Sequence, residues 1–163
     1  MSENQRDMEE ILRKITIDEV YISPLKRRRV RREDGSEIME EVPHAIRPSG
    51  SMIMDAVVQI LFFRRVFQIN QIARILGVDP VKLAGAMQIL TGMPMQDFLN
   101  IFRLYLVQEY LACTDLSLSQ IAACCDFSSQ SSLSHVFTKE IGCSPAAYRR
   151  SHRHRDFRFW YEW

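Results

Sequence analysis

The run "SSQSSLSHVFTKEIG", from Ser128, carries groups that hydrogen-bond rather than react. Covalent or acid–base chemistry needs a nucleophile, a base and an orienting group within reach of one another. No Ser-His-Asp or paired-carboxylate constellation occupies neighbouring positions here. The histidines His44, His135, His152 and His154 are scattered, and no glycine-rich loop is present to cradle a phosphate. The cysteines Cys113, Cys124, Cys125 and Cys143 form no CxxC pair and have no histidine at finger spacing. Adjacent Cys124 and Cys125 do not chelate one metal easily from a helix, and buried thiols in a reducing compartment are the expectation. No catalysis, metal or cofactor is expected.

The run is suited to binding. At helical spacing Leu133, Val136, Phe137 and Ile141 share one face, while Ser131, Ser132, His135, Thr138 and Lys139 share the other. Ser128 is expected to cap the helix and Ser129 to join the residues that meet DNA, so the serines favour initiation rather than disrupting the helix. Small hydroxyls let a backbone approach phosphates. Gln130 can offer its amide to adenine, and His135 and Lys139 can reach acceptors on guanine or phosphate. Double-stranded DNA is the partner this face predicts.

The elements that position this face repeat. "QIARILGVDPVKLAGAMQILTG" matches "QIAACCDFSSQSSLSHVFTKEIG", with one residue inserted near the turn. Gln71, Ile72 and Ala73 answer to Gln120, Ile121 and Ala122. Leu83 answers to Leu133, Gly92 to Gly142 and Phe98 to Tyr148. Each copy reads as a short helix, a tight turn and a second helix, the plan in which the second helix enters a major groove. Asp79 is placed to cap the second helix of the first copy, with Pro80 in its first turn. Between the copies, residues 95–113 read as a long helix with Phe98, Leu99, Phe102, Leu106 and Tyr110 turned inward. A further helix is expected over 52–67.

Residues 1–50 differ. "KRRRVRR" precedes "EDGSEIMEE", with Asp34-Gly35 as a two-residue hairpin turn. That turn sets Arg32 opposite Glu37, Val30 opposite Met39, Arg29 opposite Glu40 and Arg28 opposite Glu41. A charge-paired hairpin, a nucleic-acid arm and disorder all remain open for this stretch. The expected organisation is an extension over 1–50, a double helix-turn-helix domain over 51–150 and an aromatic, basic tail over 151–163. The tail can pack on the first helix, grip phosphates or dimerise.

The second copy resembles the DNA-binding domain of the AraC/XylS family of bacterial transcription regulators. "LSQIA", "FSSQS", "VFTKEIG", "SP" and "YRR" stand where that family has them, and the middle segment resembles its linker helix, with Arg103-Leu104 in place. The resemblance implies an all-α fold of two helix-turn-helix units joined by a long helix. It also implies promoter binding through both recognition helices, and activation by contact with RNA polymerase. It assigns Arg149 and Arg150 to phosphates beyond the last helix.

Two departures qualify it. The first copy's outward face is Val81, Lys82, Gly85, Gln88 and Ile89, of which only Lys82 and Gln88 can bond to DNA. Gly85 stands where the second copy has His135. That unit therefore either binds DNA loosely or presents its apolar face to protein. Asp126 replaces a glycine in the second turn, a position where aspartate tolerates a left-handed backbone.

The chain has 163 residues and a net charge of +1, so any basic surface must be local. No apolar run is long enough to span a bilayer and the start lacks a signal-peptide pattern, so a cytoplasmic protein is expected. Fifty residues cannot enclose an effector pocket of the family's β-rich kind. A small-molecule effector is not expected, and the chain resembles the family's small stand-alone members. The oligomeric state stays open.

Overall fold

The computed structural model describes residues 13–163. Its helices are α1 (Ile17–Val20), α2 (Met52–Gln59), α3 (Ile69–Leu76), α4 (Pro80–Thr91), α5 (Met95–Cys113), α6 (Leu118–Cys124), α7 (Gln130–Ile141), α8 (Pro145–His152) and α9 (Phe157–Trp160). Three strands, β1 (Arg27–Arg31), β2 (Glu37–Glu41) and β3 (Tyr161–Glu162), form one antiparallel sheet in the order β2-β1-β3.

The core follows α5. Phe98, Leu99, Phe102, Leu106 and Tyr110 are all buried, as their spacing predicts. Ile72, Leu83 and Met87 meet this helix from the first unit, and Ile121, Leu133 and Phe137 from the second, in one continuous cluster. A 19-residue helix rises about 28 Å, so α5 is the rod that separates the two units.

Helix α2 is shorter than expected. Regular turns end at Gln59, a π-helical turn runs over Ile60–Arg64, and Arg65 adopts a left-handed backbone (φ 53°) that stops it. The wide turn buries Ile60, Leu61 and Phe62 in succession, which a 3.6-residue period does not do on one face. Phe62 meets His44, and Phe63 points to solvent.

The hairpin is present, shifted by one residue from the expected register. Arg28 pairs with Glu40, Arg29 with Met39, Val30 with Ile38 and Arg31 with Glu37. The turn has three residues, not two. Arg32 and Ser36 close it, and Gly35 alone takes a positive φ of 83°. A two-residue type I′ turn would need Asp34 left-handed as well. Instead Asp34 accepts hydrogen bonds from the Ser36 amide at 2.8 Å and from its hydroxyl at 2.6 Å, and these lower its pKa. Asp34 thus folds the loop back on itself, which favours the longer turn. Among the described residues no arginine of β1 comes within 4.0 Å of a glutamate oxygen of β2; Arg27 instead bridges Glu162 on β3, at 2.9 Å.

The tail therefore packs on β1 and on the end of α5, not on the first helix. Leu25, Val42 and Cys113 form a small second core with Tyr161 and Trp163 against it. Arg29 lies 3.5 Å above the Phe159 ring and donates to the Phe159 carbonyl at 3.0 Å. Extension and tail, separate in the sequence reading, meet in one sheet.

Between them, residues 14–25 run beside α5 as a strap. The Lys14 ammonium donates to the Ile89 carbonyl, and the Ile15 amide to that of Leu90. Tyr105 donates to Asp18, and Tyr21 to Glu109. The strap thus starts at the end of α4 and reaches Cys113 through Leu25.

Candidate nucleic-acid interface

The two repeat copies share their local chemistry. Asp79 and Ser129 are the N-caps of α4 and α7, accepting from the amides of Lys82 (2.9 Å) and Ser132 (3.0 Å). The second cap is Ser129, one residue beyond the expected Ser128, because only from Ser129 does the hydroxyl meet the third amide of the helix. Both helices have 12 residues and stop at left-handed glycines, Gly92 and Gly142. Each intervening turn holds one left-handed residue, Gly77 (φ 68°) in the first and Asp126 (φ 56°) in the second. In both, the next amide closes the turn: Val78 to Ala73 and Phe127 to Ala122.

Asp126 does more than tolerate the turn. Its carboxylate accepts from the Phe67 amide at 3.2 Å, tying the start of the first unit to the turn of the second. Its carbonyl accepts from Arg103, whose guanidinium stacks 3.9 Å from the Phe127 ring. Glycine supplies the backbone angle but not the carboxylate bridge.

On α7, Leu133 and Phe137 are buried, while Gln130, Ser131, His135, Thr138 and Lys139 are exposed. Ser132 is half-buried. Gln130 accepts from the Ser119 hydroxyl at 2.9 Å through Oε1. That contact fixes the amide's orientation and turns its NH2 outward. Ser129 uses its hydroxyl as the cap. Lys139 has Glu140 at 3.6 Å, with both side chains exposed, so the ammonium is little restrained.

On α4, Leu83 and Met87 face inward and Val81, Lys82, Gly85, Gln88 and Ile89 outward. Val81 and Ile89 are 79% and 72% exposed. Around Gly85 there is open space, and its backbone is ordinary helix. Beside Lys82, a groove of about 490 Å³ is lined by Met52, Ile53, Ala56, Leu76 and Val78.

Arg150 is exposed, whereas Arg149 turns into the domain and donates to the Leu116 carbonyl. Burial lowers the Arg149 pKa, and its job here is to hold the α5–α6 loop. Arg153 does the same at the Thr114 carbonyl. Sequence reasoning also passed over a cleft of about 580 Å³ between the units, lined by Gln68, Asn70, Gln96, Arg103 and Asp126 among others. Its only sequence signal is the cluster of amides at the starts of α3 and α5.

The geometry defines a class: two helix-turn-helix units on one rod-like helix. A helix-turn-helix domain family model matches residues 72–151. The C-terminal domain of AraT, a response regulator from Geobacillus stearothermophilus, is 25% identical with a TM-score of 0.58, over 64% of this chain and 88% of that one. The DNA-binding domain of AdpA, a global transcriptional factor solved with a target DNA, is 27% identical with a TM-score of 0.57, over 64% and 95%. An AraC-type regulator from Chromobacterium violaceum shares the fold at 19% identity and a TM-score of 0.56, over 67% and 99%. No curated protein matches the sequence significantly. Residues 72–151 thus match a helix-turn-helix domain family, and the fold is shared with the AdpA DNA-binding domain and the AraC-type regulator. Among the described residues no helix is long and apolar enough to cross a membrane.

Proposed function

We propose that the chain is a sequence-specific regulator of transcription that reads double-stranded DNA chiefly through α7. One observation carries this reading. A helix locked in place by Leu133 and Phe137 presents Gln130, Ser131, His135 and Lys139 together, with the Gln130 amide already oriented. Base readout needs such pre-set donors, and Arg150 is free for phosphate. Lys82 and Gln88 on α4 serve a weaker second half-site, and Gly85 leaves room for close approach. The AdpA domain, similar in fold, was solved with a target DNA.

The exposed Val81 and Ile89 favour a second reading for the first unit, as a contact for protein. A large apolar surface beside a polar rim is a common protein-binding surface. RNA polymerase or a partner regulator would dock there, and activation at promoters follows from the polymerase contact.

Selection of sites from a random duplex pool at physiological salt tests both. A bipartite motif with parts about 10 base pairs apart means both units read DNA. A single short motif leaves reading to α7 and gives the first unit to a protein. No enrichment overturns the DNA reading. Transcription in vitro from a selected site, with Val81→Ser and Ile89→Ser, then asks whether the apolar face is needed for activation while DNA affinity holds.

A further inference from the structure

A third concavity lies away from both recognition helices. It measures about 320 Å³ and is lined by the strap (Tyr21, Ile22, Ser23), by Arg28 of β1, by Val42, Pro43, Ala45 and Arg47 after the hairpin, and by Glu109 of α5. Three charged side chains thus border one small space. Glu109 accepts from the Tyr21 hydroxyl at 2.7 Å and from the Ser23 hydroxyl at 2.6 Å, one bond to each oxygen. Two neutral donors fix the carboxylate in place and leave its charge uncompensated.

The arginines do not compensate it either. Among the described residues neither Arg28 nor Arg47 comes within 4.0 Å of a carboxylate oxygen. Arg47 spends one donor on the Tyr21 carbonyl at 2.7 Å, and the Arg28 guanidinium makes no hydrogen bond among these residues. Opposite charges that share a pocket without touching leave a gap that suits a ligand with both signs. Ile22, Val42 and Pro43 supply an apolar wall, and small-ligand sites pair such walls with a few placed polar groups.

We propose that this pocket binds a small zwitterion of α-amino acid size, its carboxylate between Arg28 and Arg47 and its ammonium on Glu109. Arg28 and Arg47 each present planar pairs of donors to a carboxylate. Glu109 keeps a second lone pair on each oxygen for an ammonium. A volume of about 320 Å³ is near the lower end for ligand sites, and it excludes larger effectors. The bound molecule would add a further link between strap, hairpin and linker helix, which Arg47, Glu109 and the Leu25–Val42–Cys113 cluster already join.

Thermal unfolding of the full chain with each of the common L-amino acids at millimolar concentration is the first screen. Any hit is followed by calorimetric titration. A ligand that binds only the folded state raises Tm, by an amount that grows with the logarithm of its concentration above Kd. At least one amino acid should do so, while the carboxylate alone (acetate, succinate) and the amine alone (ethylamine) should not. Arg28→Ala and Glu109→Gln should each weaken the hit by about tenfold or more. Glu109→Gln keeps a carbonyl acceptor for one of the two hydroxyls, and its NH2 donates to the other, so the fold is retained in at least one variant. The absence of any hit overturns the proposal. So does a hit that carboxylate or amine alone reproduces, or one that both substitutions leave unchanged. None of these outcomes bears on DNA reading by α7, which site selection decides separately.

Discussion

Two side chains show how much one position can carry. His135 is exposed midway along α7, where the proposed reading puts a base edge or phosphate within its reach. His135→Ala should weaken specific binding by about 1–3 kcal/mol, as loss of a base contact does, with non-specific affinity nearly unchanged. Gel-shift titration at fixed salt against specific and scrambled duplexes measures both, and equal loss on both would make His135 a phosphate contact. Asp126 holds a left-handed turn and a bridge to the Phe67 amide together. Asp126→Ala should lose both the bond and backbone comfort, about 1–3 kcal/mol in urea unfolding, and Asp126→Gly about 1 kcal/mol less. Equal losses would mean the bridge alone matters. The sequence made the left-handed turn legible because its repeat partner is Gly77. The bridge was not legible, since nothing local announces that Phe67 lies opposite.

The thiols add a pH dependence. Burial pushes the Cys125 pKa up to about 12 and that of Cys113 up to about 11. In the unfolded chain both ionise near 8.5, so there the unfolded state loses protons first. The native contribution is whole below about pH 8.5 and falls as pH rises toward the folded values. Stability should therefore drop on the alkaline side, and Cys125→Ala should flatten that slope. Chemical unfolding between neutral pH and mild alkali checks it, with an unchanged slope as the contrary result.

At the scale of elements, periodicity carried far and then failed for stated reasons. The two-helix units, their caps and the linker helix were readable because each rests on local spacing. The end of α2 was not, because a π-helical turn breaks the period that located it. The hairpin register slipped by one because Asp34 bonds to Ser36 and lengthens the turn. On α4, Gly85 is helical, exposed and unobstructed. Gly85→Ala should then stabilise the chain by about 0.5–1 kcal/mol in urea unfolding. Gly85→Arg should raise DNA affinity if α4 sits in a groove. No gain with folding intact would assign that helix to protein.

Over the whole molecule, the extension is part of the frame that holds the helix-turn-helix units. The strap touches the end of α4, then α5, then the core beneath the sheet, so it ties the first unit to the far end of the linker helix. Tyr21→Phe removes the bond to Glu109 and leaves a half-buried carboxylate with one donor fewer, a cost of about 1–2 kcal/mol. A Tm measurement tests it, and no change would mean water replaces the hydroxyl. No sequence pattern foretold the strap, since its contacts with α4 and α5 join residues more than seventy positions apart.

The last strand has a kinetic meaning. β3 meets β1 through two residue pairs, Arg27 with Glu162 and Arg28 with Tyr161, across a loop of most of the chain. Closing so long a loop is entropically costly for so few bonds. The amides along this seam should therefore exchange with solvent well before those of α5, in a local opening that leaves both recognition helices intact. While the seam is open, the arginine-rich β1 has a bare edge, and a bare edge pairs with whatever extended chain meets it.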